Sequence, residues 1–64
     1  MDSRVIIRRL RRDGWMVRDV RGSHWQFTHP GKPGRVTVVH PRKDTPLGTV
    51  RSIERQAGIS LRGR

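Results

Sequence analysis

Between Ser3 and Arg12 the apolar residues Ile6, Ile7 and Leu10 recur at helical spacing, while Arg4, Arg8, Arg11 and Arg12 fall on the opposite side. This pattern predicts an amphipathic helix with one packing face and one almost purely cationic face. Asp2 or Ser3 can cap its start, and Gly14 sits where a left-handed residue commonly ends a helix. The spacing then changes. Trp15 to Val20 and Ser23 to His29 are rich in aromatic and β-branched residues and predict two antiparallel strands joined through Arg21 and Gly22. Pro30 to Gly34 is a dense turn signal, and Arg35 to Val39 predicts a third strand. A second helix is expected to begin near Thr45 or Gly48, to pack through Val50, Ile53 and Ala57, and to end at Gly58.

The order α-β-β-β-α predicts an α+β fold: a three-stranded antiparallel sheet with both helices on one face, burying Ile6, Leu10, Phe27, Val50 and Ile53. The pattern contains no repeat and no linker, so residues 1–64 are expected to form one domain, fraying only after Leu61.

Length narrows the chemistry. A chain of 64 residues buries only about 60% of the surface its unfolded form exposes, which leaves no room for a deep substrate cavity. Without cysteine, neither a disulfide framework nor a Cys-based zinc site is available, which fits a reducing cytoplasm. The longest apolar run, Val5-Ile6-Ile7, is far below a membrane span, and no signal-peptide core is present. A soluble, uncleaved cytoplasmic protein with no membrane partner is expected.

Fifteen Lys and Arg against five Asp and Glu give a net charge of +10, and thirteen of the fifteen are Arg. A polyanion is the natural partner, because the planar guanidinium matches phosphate oxygens better than an ammonium does. The competing explanations are a solvated face or codon bias. The helical stripe favours use: Arg4/Arg8 and Arg8/Arg12 are like-charge neighbours, each costing about 0.2–0.5 kcal/mol in an isolated helix.

Alternation in the second strand places Trp25 and Phe27 on one face and His24, Gln26 and Thr28 on the other. If the aromatics meet the helices, His24 faces away from the core, as either an ordinary surface histidine or a functional one. An imidazole exchanges a proton near pH 6.5, and RNA carries its own nucleophile in the 2′-hydroxyl. An exposed histidine beside a bound RNA backbone therefore suffices to promote attack of the 2′-oxygen on phosphorus without a metal, with nearby arginines stabilising the developing charge.

His29, at the end of the same strand, and His40, after the third strand, are secondary candidates. Their separations of five and eleven residues match no compact metal-ligand motif, so neither a metal nor any other cofactor is expected. Gly22 can serve the hairpin turn or let a phosphate approach the backbone. Trp15 and Trp25 can stack on bases but at strand positions more often pack.

Gly14-Trp15 after a basic helix, Gly22-Ser23-His24, Phe27-Thr28-His29-Pro30, a valine-rich strand ending at His40, then Leu47-Gly48-Thr49-Val50-Arg51-Ser52-Ile53 and Gln56-Ala57-Gly58 together resemble the HicA toxin family, in order from about Ser3 to Ile59. The resemblance implies a fold similar to a double-stranded-RNA-binding domain. It also implies an mRNA-cleaving toxin of a toxin-antitoxin system, neutralised by a HicB antitoxin, with the histidine of the Gly-Ser-His motif, here His24, catalytic. Arg4, Arg8, Arg11, Arg12, Arg21, Gly22 and Ser23 are the expected RNA-binding positions around it. One departure is Val39-His40-Pro41, where many members place a proline directly before the histidine. A non-catalytic RNA-binding module, or a basic surface built for an acidic protein, would use the same arginines.

Overall fold

In the computed structural model, which describes residues 1–63, helix α1 spans Ser3–Arg12. Asp2 caps it, its carboxylate accepting the Arg4 N–H at 2.8 Å. Ser3, Ile6, Ile7 and Leu10 are buried, while Arg4, Arg8, Arg11 and Arg12 are exposed, as the periodicity predicts. The expected strand start at Trp15 is corrected by one residue. The Trp15 N–H donates back to the Leu10 carbonyl at 3.0 Å, so Trp15 closes the helix and packs in the core instead of pairing in the sheet.

Strands β1 (Met16–Arg21), β2 (His24–His29) and β3 (Lys32–Val39) form an antiparallel sheet in the order β1-β2-β3. Gly22 and Ser23 make a two-residue hairpin turn with Gly22 at φ +57°, the glycine-first geometry that suits strand twist. The register shifts between Val17 and Asp19, leaving Arg18 as an extra residue in β1.

The third strand begins at Lys32, earlier than the expected Arg35. Pairing moves from Phe27↔Val36 to His29↔Lys32, so Pro33, Gly34 and Arg35 lie opposite Thr28, with Gly34 at φ +81°. An edge strand accommodates Pro33, because the missing N–H there removes no ladder bond, and the turn contracts to Pro30-Gly31.

Helix α2 spans Leu47–Ala57 and ends at Gly58, φ +68°. Thr45 does not cap it. Pro46 occupies the cap position with no side-chain bond, and the buried Thr45 instead donates its N–H to the Met1 carbonyl at 2.8 Å, its hydroxyl left without a partner.

Both helices pack on one face of the sheet. Ile6, Leu10, Phe27, Val50 and Ile53 are each at most 2% exposed, joined by Trp15, Val36, Val38, Ala57 and Leu61. Lys32 ties three elements together, its Nζ donating to Asp13 Oδ2 at 2.7 Å and to the Ala57 carbonyl at 2.9 Å. Order also runs past Leu61: Glu54 accepts the Leu61 N–H at 2.7 Å and the Arg62 Nε at 3.0 Å, so Arg62 is docked where fraying was expected. Arg64, the end of that tail, lies outside the described residues. No helix among the described residues is long and apolar enough to cross a membrane.

Candidate functional site

His24 opens β2, directly opposed by Arg21 on one neighbour and Val39 on the other. Phe27 is fully buried beneath the helices, so alternation puts the exposed His24 on the bare face of the sheet. Opposed residues bring their Cβ atoms to about 4.5–5.5 Å, which makes Arg21 the cation nearest to His24 along the sheet. Arg21 is itself paired with Asp19 at 3.0 Å. The same face carries an arginine not singled out from the sequence: Arg35 donates from Nη1 to Gln26 Oε1 at 2.9 Å. The signal for it was present, since a strand that buries Val36 and Val38 must turn Arg35 outward.

His40 is joined to the hairpin end by its backbone, donating its N–H to the Ser23 carbonyl at 2.7 Å. Its ring, however, turns to the helix side. Nδ1 lies 2.7 Å from the buried Ser3 hydroxyl, and the ring meets Trp25 edge-on, with centroids 4.8 Å apart at 84°. His24 and His40 are thus neighbours in backbone whose side chains occupy opposite faces. The structure does not bring His29 to this end at all. Five residues along β2, roughly 16 Å away, its Nε2 donates to the Asp13 carbonyl at 2.6 Å and its Nδ1 accepts the Gly31 N–H at 2.9 Å. It also packs edge-on against Trp15, at 5.3 Å.

The four arginines of the α1 stripe divide. Arg4, Arg8 and Arg11 line an open groove with Ile7, Trp25 and His40, whereas Arg12 lines a separate cleft with Arg9, Asp13, Ile59 and Ser60. At the hairpin tip Gly22 and Ser23 are exposed, and a Cβ built on Gly22 would meet nothing within 4 Å. The tip is open to a ligand from outside.

The profile of the HicA toxin of bacterial toxin-antitoxin systems matches residues 3–59. The chain belongs to the HicA toxin family. Its fold is similar to that of a chain from a solved HicA3 and HicB3 toxin-antitoxin complex, with a TM-score of 0.86 and 35% identity, covering 95% of this chain and 98% of that one. No curated protein matches the chain by sequence.

In this HicA-family chain Asp2, Asp13 and Glu54 are committed to structure. A hydrogen bond from the Arg4 side chain lowers Asp2 from an ordinary 3.8 to about 2, and the same contact raises the Arg4 guanidinium. Lys32 holds Asp13 below the usual range, and the Leu61 N–H does the same for Glu54. No three His, Asp or Glu side chains converge as metal ligands among the described residues. What stands free at the hairpin end is an imidazole beside arginines.

Proposed function

We propose that this protein is the toxin of a type II toxin-antitoxin pair and that it cleaves mRNA in the cytoplasm as a metal-independent endoribonuclease, with His24 as its proton carrier. The observation that carries this reading is the exposed His24 beside Arg21, at the Gly-Ser-His position of a HicA-family chain.

In the proposed reaction His24 takes the proton from a 2′-hydroxyl. The 2′-oxygen bonds to the adjacent phosphorus, the bond from phosphorus to the 5′-oxygen breaks, and the imidazolium returns its proton to that departing oxygen. A 2′,3′-cyclic phosphate and a 5′-hydroxyl end result. Because RNA brings the nucleophile, an open sheet face suffices. Arg21 and, further along the face, Arg35 supply positive charge for the phosphoryl oxygens as charge develops.

Neutralisation follows from the same surface. A net charge of +10 favours fast, steered association with a more acidic HicB-like antitoxin, which we place over His24 and part of the basic surface. Inducible expression of the wild type and His24→Ala, followed by growth curves and mapping of RNA 5′ ends, tests the proposal. The wild type is expected to arrest growth and create new 5′ ends, and His24→Ala to do neither. Equal toxicity from His24→Ala would instead mean action by RNA occupancy without cleavage.

A further inference from the structure

The groove on the helix side of the hairpin end has no role in the chemistry at His24. It encloses about 340 Å³, lined by Arg4, Ile7, Arg8, Arg11, Trp25 and His40. Its lining combines two rings, Trp25 and His40, with three guanidinium groups. Trp25 is only half-buried, whereas Trp15, the other of the two tryptophans, is 1% exposed and inaccessible to any ligand. Arg8 and Arg11 make no ion pair among the described residues, while Arg4 is partly neutralised by Asp2 at 3.1 Å. A partly exposed indole among guanidinium groups offers a base a stacking partner and its flanking phosphates counter-charges.

The groove also holds a fixed polar group. The Ser3 hydroxyl is fully buried and already accepts the Arg42 N–H at 2.9 Å, so its own proton has one acceptor within reach, His40 Nδ1 at 2.7 Å. In the neutral ring the proton of His40 therefore sits on Nε2. Ser3 fixes both the tautomer and the orientation of the imidazole that abuts Trp25.

We infer that this groove is a subsite for one unpaired nucleotide of single-stranded RNA, its base stacked on Trp25 beside His40 and its flanking phosphates held by Arg8 and Arg11. The inference rests on RNA being the ligand of this protein. The position fits the chemistry: His24 and Trp25 are consecutive residues on opposite faces, at the end of the sheet that carries the exposed Gly22-Ser23 tip. A strand whose phosphodiester lies at His24 can pass around that tip and set a neighbouring base in the groove. A duplex cannot, because its bases are stacked on each other.

The test uses the full-length chain carrying His24→Ala, so that bound RNA stays intact, with uniform single-stranded octanucleotides and an RNA duplex of equal length. Since Trp15 is inaccessible, any quenching of tryptophan fluorescence reports Trp25. Single strands are expected to quench and the duplex to bind without quenching. Adding Trp25→Leu should weaken single-strand binding about tenfold, within the range expected for loss of one base–aromatic stack, while duplex affinity stays within about twofold. Trp25→Phe, which keeps an aromatic face, should restore most of the loss and shows that the site remains folded. Single strands that bind without quenching, and with equal affinity to Trp25→Leu, would overturn the subsite and leave the ribonuclease proposal standing. Absence of any RNA binding would defeat both. Quenching by an acidic antitoxin but by no RNA would reassign the groove to protein contact.

Discussion

A Cβ placed on Gly14 would lie 2.8 Å from Nε2 of His29, closer than packed atoms tolerate, and Gly14 already sits at φ +105°. Glycine there is required twice, by backbone and by contact. Gly14→Ala is expected to cost about 1–3 kcal/mol in backbone strain, with more added as His29 is pushed from its bond to the Asp13 carbonyl. For a domain of this size each kcal/mol lowers Tm by about 4–8 °C. Gly22→Ala is the control, because its φ of +57° brings strain without any collision. Thermal melts should rank Gly14→Ala clearly below Gly22→Ala.

Stability should fall in acid, and in a defined window. Asp2, Asp13 and Glu54 all have folded-state pKa values below their ordinary ones, Asp2 reaching about 2 from 3.8. The unfolded chain therefore binds more protons over that interval. The stability these groups provide is fully present above about pH 5 and is lost as pH falls through their folded values toward 2. Urea midpoints should be flat from pH 7 to 5 and decline below. Lys32→Met, which removes the cation beside Asp13, should flatten part of that decline and lower stability at pH 7.

Most of the fold is legible in the sequence because its signals are local. The 3.6-residue period of Ile6, Ile7 and Leu10 and the alternation of Trp25 and Phe27 each identify an element and its buried face. Boundaries moved where one specific hydrogen bond overrides the residue pattern. Trp15 is taken by the Leu10 carbonyl, Thr45 by Met1, and Arg62 by Glu54. The candidate site divides the same way. That His24 faces away from the helices follows from alternation, and the structure agrees. No local pattern, by contrast, reveals that the rings of His24 and His40 take opposite faces, that His29 is held by Asp13 and Gly31, or that Arg12 leaves the groove shared by Arg4, Arg8 and Arg11. Apart from the local His29–Gly31 bond in the turn, these depend on how separate elements pack together.

The division of the arginines can be read from salt dependence. Single-strand affinity falls with salt at a log–log slope of about −0.7 per phosphate neutralised. Arg8→Glu combined with Arg11→Glu should therefore weaken binding and flatten the slope by about 1.4, the loss of two contacts. Arg12→Glu, in the other cleft, should change the slope less than half as much. Titrations of a labelled oligonucleotide at several salt concentrations measure both. Equal effects from the two variants would mean that RNA does not follow the groove.

The proton chemistry at His24 is the centre of the account, and cleavage by purified His24→Gln tests it most directly. Glutamine can still hydrogen-bond to a phosphate or a hydroxyl but cannot exchange a proton at neutral pH. Loss of general acid–base catalysis typically lowers a rate by about 10²–10⁴-fold. His24→Gln is expected to fall in that range, as is His24→Ala, while RNA affinity stays within a few-fold of wild type because Arg8, Arg11, Arg21 and Arg35 are untouched. Cleavage by His24→Gln at the wild-type rate would contradict the account.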